Sequence, residues 1–332
     1  MNQGRRRVLK QLGLGLGLSA SPFGGIGLGT AVAQESAYPK NAVRVVLPFS
    51  AGGSSDVAFR VLADGLSKAW GKPVVVDNRP GAGGMIGADA VAKSAPDGYT
   101  LLATLTNLVQ APALFGKAPY NALRDFAPIT ELATLNLVWV VQKDLPVTDI
   151  KSLIEYAKKQ GQPLPYGTYA VGGTAHLLME SFGRAYKVPL IHVPYKGEAP
   201  LLNDMLGGQV QVGILGPGNA RQHAGRLRAI AVSGVSRSPF LPDVPTFKEQ
   251  GFTGLERQGW FGLFAPAGTP ATIVERVSAD VNKLMMVPAI RTRVGETGYV
   301  LTGGTPAAFA STVKTDEKFW KEIIAASSIH LD

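Results

Sequence analysis

An α/β fold in two lobes, each a mainly parallel sheet flanked by helices, is what this sequence predicts, and three observations predict it. From Pro39 onward, short apolar runs alternate with helical patterns, which is the signature of α/β architecture. Nine such runs are more than one compact sheet requires, so the chain divides. The C-terminal part differs: two long amphipathic helical patterns follow each other there with no strand between them.

The strand candidates, in order, are VRVVLPF, PVVVDN, YTLLAT, NLVWVVQ, LPYGTY, LIHVPY, VQVGIL, LRAIAVS and WFGLFAP. The stretch GKAPYNALRDFAPITELA reads as a long loop, after which NLVWVVQKDLP carries the chain into the second lobe. The helical patterns TPATIVERVSADVNKLMM and TPAAFASTVKTDEKFWKEIIAAS each open with Thr-Pro, Thr269-Pro270 and Thr305-Pro306. That pairing suits a threonine N-cap followed by a proline whose missing N–H costs nothing at the first helical position. Ile273, Val277, Val281 and Leu284 mark one apolar stripe, and Phe309, Val313, Trp320 and Ile324 another. Both helices are expected to return to the first sheet. The lobes are then 38–136 with 260–332, and 137–259.

The first residues stand apart from the fold. Arg5, Arg6, Arg7 and Lys10 precede the glycine-diluted apolar run QLGLGLGLSA, and Ala31–Ala33 offers a small-x-small cleavage site, so residues 1–33 read as an export signal peptide. RRRVLK also fits a twin-arginine signal, although the same charges suit an ordinary secretory one. Nothing later approaches 18 consecutive apolar residues, so no permanent transmembrane helix is indicated. Of the formal +9, residues 1–33 carry four basic residues and no acidic one, leaving 29 basic against 24 acidic, a net of +5. That modest charge argues against nucleic acid as a partner. The absence of cysteine in an exported chain leaves the core to hold the fold.

Two stretches invite an anion. VRVVLPFSAGGSSDVAFRVLADGLSKAW runs from a strand through Gly52-Gly53 into a helix bearing Val57, Val61, Leu62, Leu66 and Trp70. PYGTYAVGGTAHLLMESFGRAY repeats the device through Gly172-Gly173 and Thr174. The first N–H groups of a helix lack internal partners and sit at the positive end of the peptide dipoles, so a glycine-lined approach suits a carboxylate. A tight, serine-capped turn is the other reading of the first loop. Asp56 is explained by its favourable place in the first helical turn. His176 is suited either to an anion or to its own loop.

Enzyme signatures are missing. There is no G-x-S-x-G, H-E-x-x-H or G-x-x-x-x-G-K-[ST]. PGAGGMIGADAV has the spacing G-x-G-x-x-x-G through Gly81, Gly83 and Gly87, with no acidic residue at the required distance, so it reads as a tight turn letting a helix approach the sheet. His176, His192, His223 and His330 occupy separate elements with no i, i+4 pair. No metal and no cofactor are expected.

Several ordered motifs together carry a family likeness. YPKNAVRVVLPFSAGGSSDVAFRVLADGL, VVVDNRPGAGGMIGADAVAKSAPDGYTLL, HVPYKGEAPLLNDMLGGQV, GRLRAIAVSGVSRSPFLPDVPTFKEQG and WFGLFAPAGTPATIVERV closely resemble the Bug-type solute-binding receptors of tripartite tricarboxylate transporters. The resemblance covers nearly all of the chain from Tyr38. It implies a periplasmic, two-lobed binding protein of the type II, Venus-flytrap kind. Such a protein is a non-enzymatic monomer that captures a carboxylate in the interlobe cleft and delivers it to a membrane transporter.

Carried onto this sequence, the implied first-lobe site is Phe49, Ser50, Ala51, Gly52, Gly53 and Ser54, with Thr104, Thr106 and Asn107. The second-lobe site is Gly167, Thr168, Tyr169, Gly172, Gly173, Thr174 and His176, with Tyr195 near the cleft. Amino-acid-binding members often place an acid shortly after the strand that follows GGQV. Leu215 stands near that position here, which favours an unaminated carboxylate, aromatic or dicarboxylic. A periplasmic carboxylate sensor and an exported hydrolase are the alternative functions.

Overall fold

Apolar side chains at four of its five positions make Val43–Leu47 a strand buried on both faces, and it forms β1. The computed structural model describes residues 38–195 and 197–326. The expected export signal at 1–33, and His330, lie outside them. After β1 come α1 (Ser54–Trp70), β2 (Val74–Asn78), α2 (Met85–Ala92), β3 (Thr100–Leu105) and α3 (Asn107–Leu114). β4 (Phe126–Leu135) follows, at ten residues the longest strand among the described residues, and it begins inside the stretch expected to be a loop and runs two residues past its end. Its apolar alternation is interrupted by Pro128, Thr130 and Glu131, which hides it in the sequence. Pro128 is tolerated because it lies where the register with the neighbouring strand shifts.

The middle of the chain supplies β5 (Val138–Gln142), α4 (Ile150–Lys159), β6 (Leu164–Thr168), α5 (Thr174–Ala185), β7 (Leu190–Pro194), α6 (Glu198–Gly207), β8 (Val212–Leu215), α7 (Pro217–Gln222) and β9 (Leu227–Val232). The last part supplies β10 (Gly259–Pro266), α8 (Ala271–Met285), α9 (Pro288–Gly295), β11 (Val300–Leu301) and α10 (Pro306–Ala326). All nine expected strands are present, and the chain builds two sheets, β11-β4-β10-β3-β1-β2 and β7-β6-β8-β5-β9.

Each sheet is mixed. β1 pairs in parallel with β2 and β3, and β6 with β7 and β8, as expected of βαβ units. β10 and β5, which lie next to the two passages between the sheets, run antiparallel to their neighbours and correct the expectation of mainly parallel sheets.

The chain passes between sheets twice, and the passages are clasped. Asn136 donates through Nδ2 to the Ser233 carbonyl at 2.7 Å, Leu137 N–H donates to Ser233 Oγ at 2.9 Å, and Ser233 N–H returns to the Leu137 carbonyl at 2.9 Å. All three residues are buried, so these bonds are shielded from water. One apolar cluster runs beneath both sheets, joining Leu102 and Phe264 to Trp139, Tyr166 and Ile214. α8 packs on β4 and α1, while α10 packs on β4 and α3 and reaches α5. Thr305 caps α10 as expected, its Oγ1 accepting from Ala308 N–H at 3.1 Å. Thr269 does not cap α8; its hydroxyl donates back to the Pro266 carbonyl at 2.8 Å.

Candidate ligand-binding site

The two glycine loops fold alike to a degree their sequences do not suggest. After β1, Gly52 adopts φ +82°, and Gly53 (φ −72°, ψ 163°) leads into α1 as an N-cap with no side-chain cap bond. After β6, Gly172 adopts φ +69°, and Gly173 (φ −75°, ψ 168°) leads into α5 in the same way. The positive φ at the first glycine of each pair is cheap only for a residue without Cβ. The first intrahelical bonds are Val57 N–H to the Gly53 carbonyl and Leu177 N–H to the Gly173 carbonyl. The N–H groups of Ser54, Ser55 and Asp56, and of Thr174, Ala175 and His176, precede those bonds and form two positive ends.

Each loop is held by the side chain four residues beyond its first glycine. Asp56 Oδ2 accepts from Gly52 N–H at 2.9 Å and from Arg60 Nε at 3.0 Å, and its Oδ1 accepts from Asn78 Nδ2 at 2.9 Å. Asn78 Nδ2 also reaches the Phe49 carbonyl at 3.1 Å, tying the loop to the end of β2. Burial alone would raise the Asp56 pKa, but the bonds from Arg60, Gly52 and Asn78 and the Arg60 charge outweigh it and hold the carboxyl below its ordinary range. Asp56 is therefore the charged anchor of the loop, a larger role than a favourable place at the dipole.

In the second loop the anchor is His176, whose Nδ1 accepts from Gly172 N–H at 3.0 Å. That bond fixes the tautomer with the proton on Nε2, which lies 3.9 Å from Glu180 Oε1. The sequence places His176 and His192 in separate elements, yet the fold stacks their rings 3.7 Å apart at 18°. His192 Nε2 lies 2.7 Å from Thr168 Oγ1. Burial, and then the His192 neighbour, push the His176 pKa down to about 3; burial pushes His192 down to about 4. Both rings are neutral near pH 7. Among the described residues no group of three His, Asp or Glu side chains could hold a metal ion.

The remaining predicted residues separate into open and engaged groups. Ser50, Ala51, Gly52, Gly53 and Ser54 are exposed at the first loop, with Phe49 half-buried beside them; Gly173 and Thr174 are half-buried at the second. Thr106 is engaged in the fold, its Oγ1 accepting from Trp260 N–H at 2.9 Å. Buried Thr104 lies 3.5 Å from Asn107 Oδ1, while the Asn107 amide donates to the Gly83 carbonyl. Gly167 lies against the side chains of Leu201, Tyr195 and Val210, so a Cβ there would press on all three.

Thr168 is fully buried against His192, and Tyr195 donates its hydroxyl to Asp204 Oδ2 at 2.9 Å. Tyr169 is half-buried, its hydroxyl pKa raised by burial and by Glu198. Leu215, expected at the cleft, is wholly enclosed in the apolar cluster under β8 and β5, because it lies inside the strand rather than beyond its end. The PGAGG turn does what its spacing suggested: a Cβ on Gly87 would lie 2.9 Å from Pro48 Cβ, so glycine lets α2 close on the base of the first loop.

Two side chains that escaped the sequence reading complete the site. Gln110, on α3 and wholly buried, donates through Nε2 to Thr174 Oγ1 at 3.0 Å. This bond joins a helix of the first sheet to the first residue of α5, so the second loop faces the first sheet's helices. Glu198 Oε1 accepts from Gly216 N–H at 2.5 Å, just before α7. That helix end is filled by the protein's own carboxylate, whereas the starts of α1 and α5 are not. The Glu198 pKa is raised by burial, partly opposed by the bonds from Gly216 and Asn219. Gly52→Asp56 and Gly172→His176 share a four-residue spacing, the one signal in the sequence that could have revealed the anchors. Unlike side chains occupied it.

Comparisons with known proteins agree on one group. The family described as TctC, tripartite tricarboxylate transporter family receptor, matches residues 58–329. The chain is 36% identical over 326 residues to the UPF0065 protein in the tcbD-tcbE intergenic region of Pseudomonas sp. strain P51, covering 97% of this chain and 94% of that relative. It is similar to the structure of Rpa4515 of R. palustris with adipate, at 33% identity and a TM-score of 0.80, covering 88% of this chain and 99% of the other. It is also similar to MatC of Rhodopseudomonas palustris with bound malate, at 30% identity and a TM-score of 0.76, covering 86% and 100%.

Proposed function

Because this chain belongs to the tripartite tricarboxylate transporter receptor family, whose members are periplasmic solute-binding proteins, we propose that it captures a small carboxylate between its two glycine loops and delivers it to a membrane transporter. The observation that carries the reading is the matched pair of open helix starts at Gly53-Ser54 and Gly173-Thr174, each at the end of a parallel strand and one in each sheet. Residues 38–136 with those from 260 onward act as one lobe and 137–259 as the other, closing about the Asn136, Leu137 and Ser233 clasp. Residues 1–33 direct export by the twin-arginine route. Changing Arg5 and Arg6 to lysine then abolishes export, and normal export of that variant overturns the route.

Magnitudes favour a ligand that uses both loops. Micromolar binding needs about 8 kcal/mol, whereas one helix start contributes ~0.3–2 kcal/mol toward an anion. Two termini still fall short, so hydroxyl and backbone bonds, desolvation and lobe closure supply the rest. A dicarboxylate engages both ends at once, and adipate and malate, held by two similar proteins, are dicarboxylates.

The test is a thermal-shift and calorimetric series of mono-, di- and tricarboxylates on the mature chain. A dicarboxylate at a hundred times its Kd is expected to add about 2.7 kcal/mol of stability. A flat response to every carboxylate overturns the reading.

A further inference from the structure

We propose that His176 is a positioning residue of the site rather than a ligand donor, and that it is a neutral acceptor by necessity: it holds Gly172 in place while adding no negative charge at the start of α5. The assignment rests on the carboxylate reading above and adds to it how the second loop keeps its geometry without a carboxylate at the helix start. Three observations carry it. His176 Nδ1 accepts from Gly172 N–H at 3.0 Å, and the remaining Nε2–H is buried with the ring and lies 3.9 Å from Glu180 Oε1, so neither nitrogen is presented to a ligand. The ring is 5% exposed and stacked on His192 at 3.7 Å, a face-to-face distance at which two imidazolium ions would repel strongly. The equivalent atom in the first loop, Asp56 Oδ2, makes the same bond at 2.9 Å from an ionised carboxylate.

The two anchors therefore solve one geometric problem at different electrostatic cost. Either acceptor fixes the positive φ of the first glycine and aims the second glycine and the helix start outward. A carboxylate near the helix start also opposes an incoming anion, and in the first loop Arg60 offsets that charge from a partly exposed position. Four residues beyond its anchor the first loop has Arg60, whereas the second has Glu180, which lies 3.9 Å from His176 Nε2 and accepts from Tyr166 OH at 2.5 Å. A carboxylate at position 176 would meet an acid where Asp56 meets a cation. The imidazole holds Gly172 without adding a further negative charge at the α5 start.

Three substitutions separate geometry from charge. His176→Leu removes the acceptor, His176→Asn keeps a neutral one, and His176→Asp copies the first loop's anchor, which shows that a two-carbon side chain spans the distance. Hydrogen exchange of the Gly172 amide in the ligand-free protein reads the geometry, and calorimetric titration with adipate reads the binding. The leucine variant is expected to lose Gly172 protection and at least about tenfold in affinity. Asparagine is expected to restore both to within about threefold, while aspartate restores protection and yet binds about tenfold more weakly than asparagine.

Unchanged adipate affinity in a folded leucine variant overturns the positioning role, as does failure of asparagine to protect Gly172. Equal affinities for asparagine and aspartate overturn the role of neutrality. If leucine does not fold, the asparagine and aspartate pair still decides both points. A wild-type chain that binds neither adipate nor malate refutes the dicarboxylate reading instead, and the amide measurement still accepts or rejects the anchor.

Discussion

The first glycine loop is fastened by a charged network and the second by a neutral one, although the backbone they hold is nearly the same. Asp56 gathers Gly52, Arg60 and Asn78 around one carboxylate, whereas His176 receives Gly172 alone and leans on His192. A left-handed first glycine needs an acceptor at one point in space, and any side chain four residues on that delivers one will serve. The difference teaches that equivalence in such a protein resides in acceptor position, not residue type. This is why AGGSSD and VGGTAH do not read as a repeat.

The largest expected divergence between the loops is in acid. The folded pKa of His176 lies at about 3, below its ordinary 6.5, so the unfolded chain takes up the proton first. Stability from this group is complete above pH 6.5 and is lost as pH falls from 6.5 toward 3. At ~1.4 kcal/mol per pKa unit the loss is on the order of 4 kcal/mol. The Asp56 carboxyl, held below its ordinary range, gives stability that is complete above pH 4 and lost only beneath it. Denaturant titrations at steps of pH are expected to show His176→Asn losing less stability than wild type between pH 6.5 and 3. Parallel curves would remove the distinction.

Removing the charged anchor comes next. Asp56→Leu removes the acceptor of the Gly52 N–H and of Arg60 Nε and one of the two acceptors of the Asn78 amide, at an expected cost of about 3 kcal/mol. A urea midpoint within error of wild type would show the network to be ornamental.

Changes within each glycine pair sharpen the likeness of the loops. Gly52→Ala and Gly172→Ala place a Cβ at positive φ and are expected to cost about 1–2 kcal/mol each. Gly53→Ala and Gly173→Ala sit at ordinary φ, with only contacts of 3.6 Å to the Ser50 carbonyl and 3.4 Å to Ala170 Cβ. Their stability is expected to change by less than about 0.5 kcal/mol, while carboxylate affinity falls because the added methyl crowds the approach. Melting curves beside titrations separate the two kinds of glycine, and unchanged affinity in both second-glycine variants would sink the two-loop site.

The smallest effect concerns the bond that bridges the sheets. Gln110 donates to Thr174, but its buried Oε1 has no hydrogen-bond partner among the described residues. Gln110→Met gives up one bond and relieves one unsatisfied acceptor, so the net change is expected within about 1 kcal/mol. A loss above about 2 kcal/mol would mean that the amide oxygen has a partner on the ligand-free surface of the cleft.

Local pattern was enough for much of this protein. Nine strands, the two glycine loops and the apolar stripes of α8 and α10 follow from hydrophobic period and backbone preference, which act over a few residues. β4 was not legible, because Pro128, Thr130 and Glu131 break its alternation and its stability comes from β10 and β11, distant in sequence. Tertiary structure also decided which polar groups remain available. Thr106 is spent on Trp260, Asn107 on Gly83, Thr168 on His192, Tyr195 on Asp204 and His176 on Gly172, and Leu215 is sealed in the core. A helix start is electropositive wherever it forms, so the sequence alone reveals it; whether a side chain beside it is free depends on which remote element comes within 3 Å, and only the folded chain settles that.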